Sequence, residues 1–286
     1  MITTCEKRIN INLLHNHTIN FARLFTIVMA DILFDNHNHD PRRQTFIIPL
    51  TYSDIALGAA DIPRISHGGD IWEMRVDLLS PSREPLGTTN LPPLSYVQAQ
   101  IKLLQSLSDM PILFTIRTAP QGGEFPPDAE NEALALMLMA VEEQCKYIDV
   151  EIEWSLELVN AVVEKKGSSK IIASFHDWTG DIRWTSDLLR EKYATADAFG
   201  DIIKLSILSA DVYDCHELAL FERSHSSKNP KPLLAVGMGQ YGQLSRMLSP
   251  ISLVTHELLP APSAPGQLTL AEVNRGRQLM GLLPRQ

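Results

Sequence analysis

Long apolar runs are missing from this chain. The nearest approach, from Phe21 to Phe34, is short and interrupted by Arg23 and Asp31, well under the roughly 20 residues that a bilayer crossing needs. Lys7 and Arg8 precede it, as in a signal peptide, but no small-residue cleavage site follows, so neither membrane insertion nor export is expected. The sequon at Asn16 would matter only in a secreted chain. Cysteine is scarce: Cys5, Cys145 and Cys215 are odd in number and far apart. That excludes a disulfide framework and a close metal-ligand spacing, and it suits a reducing, cytoplasmic compartment. Positive charge is in deficit, with 25 Lys and Arg against 34 Asp and Glu and a net charge of -9. Such a surface does not attract nucleic acid or an anionic membrane non-specifically, although it leaves room for a local basic pocket around a small anion. No GxGxxG or GxxxxGK[ST] follows an early strand-like segment, so the main nucleotide-binding fingerprints are absent.

What is present is 286 residues with 44% hydrophobic content, enough for a sizeable core in one or two domains. Residues 1–43 are rich in Asn and His, include NHNHD at 36–40, and carry no helical or strand period. They are expected to form a flexible extension. His37 and His39 make a His-x-His pair, but such pairs in polar tails usually hold no metal, and none is expected.

From Thr45 the pattern becomes regular. Short apolar runs recur at 45–50, 70–77, 112–117, 147–153, 170–175, 201–207, 232–237 and 251–256. Amphipathic segments separate most of them. In 95–109, Val97, Ile101, Leu104 and Leu107 share one helical face; 131–145 and 155–167 behave alike, the last stopping at Gly167. Strands alternating with helices predict a parallel sheet. Eight of them match a closed (β/α)₈ TIM barrel over 44–286 better than an open doubly wound sheet.

Both faces of a parallel barrel strand are buried, so polar residues inside the runs call for an explanation. In DIWEMRVD, Glu73, Arg75 and Asp77 are spaced by two and share a face, opposite Trp72, Met74 and Val76. They form either a self-neutralising ion network or a cluster that holds a hydroxylated ligand. Arg117 closes the next strand ahead of a Gly-rich loop, which places it at the C-terminal face where barrel sites are built. Asp149, Glu151 and Glu153 alternate on a strand, and at least one is placed to compensate a cation. His176 and Asp177 follow the strand KIIASF, and histidine is the side chain most readily tuned to move a proton near neutral pH. The next strand carries Lys204 amid Ile202, Ile203, Leu205 and Ile207. An apolar site and neighbouring cations would disfavour its ammonium and free the amine as a nucleophile for a ketone. His176, on the adjacent strand, would then take the proton alpha to the imine. The competing reading is a lysine snorkelling to the barrel end.

EMRVDLL (73–79), FTIRTAPQGG (114–123), SFHDW (174–178), DIIKLSI (201–207), MGQYGQLSR (238–246) and SAPGQL (263–268) occur in that order. Together they resemble the type I 3-dehydroquinate dehydratases over about residues 44–284, most nearly the fungal form found within a pentafunctional shikimate-pathway polypeptide. The resemblance implies a lyase that dehydrates 3-dehydroquinate to 3-dehydroshikimate with no metal or organic cofactor. It implies Lys204 as the Schiff-base lysine and His176 as the general acid/base. It also implies Arg246 on the substrate carboxylate, Ser263 and Gln267 on a closing loop, and Glu73, Arg75 and Arg117 around the ring hydroxyls. A homodimer is the assembly it suggests. Two departures stand out. Bacterial members usually have a glutamate that orients the histidine where this chain has Gln121, so that role would pass to Asp149 or Glu151. Phe175 and Trp178 replace a histidine and a proline common in fungal enzymes, which implies altered packing around His176. Neither a kinase P-loop nor a shikimate dehydrogenase segment flanks the barrel, as expected of a free-standing or excised domain. A ligand-sensing domain like the fungal quinate repressor, binding a metabolite and a protein partner without turnover, is the alternative function. A class I aldolase-like barrel would share the lysine but leaves the SAPGQ loop unexplained.

Overall fold

A computed structural model describes residues 43–82, 87, 90–226 and 231–284. The extension expected over 1–43, with its NHNHD motif, lies outside the described residues apart from Arg43.

Among the described residues, eight parallel strands alternate with eight helices. The strands are β1 (Thr45–Leu50), β2 (Ile71–Arg75), β3 (Ile112–Thr115), β4 (Tyr147–Glu151), β5 (Lys170–Asp177), β6 (Ile202–Leu208), β7 (Leu233–Met238) and β8 (Ile251–Leu253). Each is followed by a helix: α1 (Ile62–Ile65), α2 (Leu94–Leu107), α3 (Glu130–Glu142), α4 (Leu156–Lys165), α5 (Asp187–Phe199), α6 (Asp214–Ser226), α7 (Gln243–Leu248) and α8 (Leu270–Leu279). The ladder runs β7-β6-β5-β4-β3-β2-β1-β8, and its two ends lie against each other. This is a nearly closed (β/α)₈ barrel. No helix among the described residues is long and apolar enough to cross a membrane.

Local chemistry sets the helix ends. Ser155 and Ser186 accept backbone N–H bonds from Leu158 and Leu189 at the starts of α4 and α5, and Thr269 with Glu272 forms a capping box on α8. These satisfy donors that a helix start leaves orphaned.

The strand register sorts side chains into layers. Ile47, Ile71, Leu113, Tyr147, Ile172, Ile202, Leu234 and Ile251 pack into an apolar floor inside the barrel. One inward step higher come Glu73, Asp149, Ser174 and Lys204, and above them Arg75, Glu151, His176 and Ser206. Outward residues such as Trp72, Met74, Phe114 and Ile148 bury against the helices. The interior is therefore dry at its N-terminal end and charged towards the C-terminal mouth, where barrel sites form.

Several boundaries differ from the sequence expectation. β2 ends at Arg75, and Asp77 lies in a 3-10 turn over Val76–Leu78. β5 continues through Asp177 because it stays paired with β6 as far as Asp177↔Ile207. His176 is thus within a strand rather than after one. β4 ends at Glu151, so Glu153 leaves the inward series and pairs with Lys192 at 2.6 Å outside the barrel.

Candidate active site

Lys204 is only 2% exposed, yet its surroundings are not apolar as expected. Nζ donates to Glu73 Oε1 at 2.8 Å and Asp149 Oδ2 at 3.1 Å. Both partners reach it across the barrel interior, from β2 and β4. Burial pushes the Glu73 carboxyl up, but the charges of Lys204 and Arg75 outweigh it and hold the group below its usual range. Asp149 behaves alike: burial raises it, while Arg117, Lys204 and a 2.5 Å bond from Ser174 Oγ bring it below the ordinary value. Two carboxylates held ionised therefore flank the one amine.

The rim above is also ion-paired. Arg75 grips Asp77 through two bonds of 2.8 and 2.6 Å. Arg117 Nη1 donates to Glu151 Oε1 at 2.7 Å and Ser174 Oγ at 3.1 Å. Its Nη2 lies 2.9 Å from Asp149 Oδ1 as an ion pair without an aligned hydrogen bond. Burial works against both guanidinium ions, but the facing carboxylates keep them firmly charged. Glu151 is occupied by Arg117 and by Thr118, whose N–H and Oγ1–H it accepts at 3.0 and 2.6 Å.

His176 rises from β5 into this cationic ring. Burial, then the charges of Arg117, Lys204 and Arg75, lower its pKa well below the usual histidine value. Its ring is therefore neutral at neutral pH. Its orientation comes from Gln121, not from Asp149 or Glu151, which are committed to Lys204 and Arg117. Gln121 Oε1 accepts the His176 backbone N–H at 3.0 Å and lies 3.2 Å from Nδ1. An oxygen already fixed by a backbone donor requires Nδ1 to carry the proton, which leaves Nε2 bare as the base. Trp178 steadies this arrangement by donating from Nε1 to the Gln121 carbonyl at 2.8 Å. Gly122, at φ +83°, packs so close to the indole that a Cβ would fall 2.1 Å from Trp178 Cε2. Phe175 points the other way, into the core between barrel and helices, so it does not touch the base. Asp177 caps the following turn through Thr179 and Gly180 and is no partner of the imidazole.

Arg246 enters from α7. Nη1 donates to the Leu253 carbonyl at 3.0 Å, Nε is buried without a partner, and among the described residues no carboxylate pairs with it. Burial alone lowers its pKa to about 10. On the loop after β8, the Ser263 N–H and Oγ–H donate to Gln267 Oε1 at 2.8 and 3.3 Å, while Gln267 Nε2 is buried without a partner. The loop is seated by Gly239 N–H, which donates to the Pro265 carbonyl at 3.0 Å. Gly266, at φ +73°, lies so close to Gly239 that a Cβ would fall 2.1 Å from its carbonyl oxygen.

One cavity at the C-terminal mouth is lined by Glu73, Arg75, Arg117, His176, Lys204, Arg246, Ser263 and Gln267. All eight catalytic and substrate-binding candidates meet there, whereas Asp77, Asp149, Glu151, Glu153, Asp177 and Phe175 do not line it. Gln121, Trp178, Ser206 and Met238 also line it. Ser206 and Met238 carried a usable signal, since Ser206 lies two residues beyond Lys204 and Met238 opens one of the ordered motifs. The site combines a buried amine, a neutral imidazole and an uncompensated guanidinium, the set needed to condense with a ketone, move a proton and hold an anion.

A sequence model of the type I 3-dehydroquinase family matches residues 46–284. The pentafunctional AROM polypeptide of Mycosarcoma maydis is 40% identical over 268 residues, which is 91% of this chain but 16% of that protein. The chain thus spans about a sixth of that relative's length. Among solved structures, the dehydroquinate dehydratase and shikimate dehydrogenase of S. pombe AroM superposes with TM-score 0.81 at 37% identity, over 87% of this chain and 46% of the other. The 3-dehydroquinate dehydratase of Geobacillus kaustophilus shares the fold at TM-score 0.72 and 20% identity, over 85% of this chain and 93% of the other.

Proposed function

Because the chain belongs to the type I 3-dehydroquinase family, we propose that its cavity dehydrates 3-dehydroquinate to 3-dehydroshikimate through an imine on Lys204. One observation carries this reading. A single cavity holds a buried lysine, a histidine kept neutral and a buried arginine with no carboxylate partner among the described residues.

The substrate carboxylate enters beside Arg246, where a guanidinium fork suits a bidentate grip and gains the counter-ion it lacks. Glu73, Arg75 and Arg117 face the ring hydroxyls, and Ser263 with Gln267 covers the mouth. Lys204 Nζ attacks the ketone, with Glu73 and Asp149 placed to take and return its protons. Water leaves and the imine forms. The imine draws electrons from the adjacent C–H bond, and the bare Nε2 of His176 accepts that proton. The C–H electron pair becomes the new double bond as the carbon–oxygen bond breaks, and the imidazolium returns its proton to the departing hydroxyl. Hydrolysis of the imine restores Lys204. Crowding by cations suits the histidine to giving the proton back, because its charged form is costly.

Turnover tests this directly. Wild type is expected to produce 3-dehydroshikimate from 3-dehydroquinate, and Lys204→Ala to produce none. His176→Ala is expected to form the imine without releasing product. Binding of 3-dehydroquinate by wild type without turnover would contradict the proposal and favour a metabolite-sensing domain of the quinate-repressor kind.

A further inference from the structure

Ser206 has no role in the mechanism above, although its surroundings invite one. It is 3% exposed and lines the cavity. It lies two residues beyond Lys204 on β6, on the same inward face, and is cross-strand neighbour to His176 on β5 and Val236 on β7. The other polar groups of the inner layers are engaged: Thr115 and Lys204 on Glu73, Ser174 and Arg117 on Asp149, and Arg75 on Asp77. No hydrogen bond within the described residues engages the Ser206 hydroxyl. Such a hydroxyl is satisfied only by what enters the cavity.

The fold says which substrate atom that is. The hydroxyl eliminated from 3-dehydroquinate is on the carbon that bears the carboxylate. That carbon must lie between Arg246, which follows β7, and His176 on β5. The wall between those positions is β6, and its inward residue at that height is Ser206.

We infer that Ser206 is a further substrate contact, whose hydroxyl donates a hydrogen bond to the departing hydroxyl and then holds the released water beside the Lys204 imine. No proton is transferred through it. The C–H proton travels from substrate carbon to His176 Nε2 and on to the leaving oxygen, while Ser206 keeps its own hydrogen and lowers the charge that the oxygen must bear alone. The retained water is then at hand to add to the imine carbon. The inference rests on the dehydratase reading of the site.

Ser206→Ala removes one oxygen from a site with no internal partner, so folding should be undisturbed and the melting temperature unchanged. The expected result is a kcat about tenfold lower, a value typical of one lost transition-state hydrogen bond, with KM within about twofold. The fraction of enzyme trapped as a borohydride-reduced adduct during steady-state turnover should rise, because the imine now waits for elimination and hydrolysis. A structural role would not raise that fraction. Wild-type kcat with unchanged trapping overturns the inference, as does a lower kcat accompanied by less trapping, which would place the defect in imine formation. Wild type that yields neither adduct nor product would instead overturn the dehydratase reading, and this inference with it.

Discussion

Replacing Arg246 with methionine should make the empty protein more stable while disabling it. Arg246 is 3% exposed, and burial alone brings its pKa down to about 10. At 1.36 kcal/mol per pH unit, holding the cation there costs about 3 kcal/mol. The charge recovers little of this from the protein, since its one side-chain hydrogen bond among the described residues goes to the Leu253 carbonyl. Losing that bond costs on the order of 1 kcal/mol. A methionine removes the buried charge and refills part of the space with an apolar chain, so the net gain should be about 1–2 kcal/mol. For a domain of this size that corresponds to a melting temperature higher by roughly 2–8 °C. The substrate carboxylate loses its cation in the same change, and truncating one side of a buried charge pair costs about 2–5 kcal/mol. kcat/KM should therefore fall by about 30- to 5,000-fold. Differential scanning calorimetry without ligand and steady-state kinetics give the two readouts. A variant that melts lower than wild type, or that keeps kcat/KM within about fivefold, would refute the claim that Arg246 is an uncompensated anion-binding cation.

Two further substitutions probe the base and its support. His176 is held well below the usual histidine range by burial and by Arg117, Lys204 and Arg75. Its neutral form therefore persists as pH falls, and the acid limb of kcat/KM should lie below pH ~6.5. Gln121→Glu places an anion 3.2 Å from Nδ1 and favours the imidazolium, so that limb should move to higher pH; an unmoved limb would show that Gln121 does not control the base. Gly122→Ala forces a methyl into the Trp178 ring at a φ of +83° and so breaks the indole bond to Gln121. It should cost about 1–3 kcal/mol in urea unfolding and lower kcat at least tenfold. Unchanged stability and rate would discount the support assigned to Trp178.

The barrel was legible because its signal is repetitive. Eight apolar runs with intervening helical faces leave few other architectures, and alternation on DIWEMRVD puts Glu73 and Arg75 on one face, although Asp77, grouped with them, leaves the strand. Pairing was not legible. Lys204 meets Glu73 and Asp149 through the barrel interior, from strands that are remote along the chain. The immediate neighbours of Lys204 in DIIKLSI are isoleucine and leucine, which suggests an apolar pocket. Gln121 and His176 are 55 residues apart, and alternation cannot say whether an amide or one of the inward carboxylates faces the ring. Phe175 shows the converse. It adjoins His176 in sequence, but the period of two turns it to the opposite face. Ser206 was readable from its spacing to Lys204, yet a single serine inside an apolar strand draws attention only when its hydroxyl is seen to have no partner.

The central claim is that Lys204 forms the covalent intermediate. The direct measurement is borohydride reduction during turnover of 3-dehydroquinate, followed by peptide mapping by mass spectrometry. The account predicts one substrate-derived adduct, on Lys204, formed in wild type and in His176→Ala but absent from Lys204→Ala. An adduct on another lysine, or dehydration that survives the loss of Lys204, would contradict it.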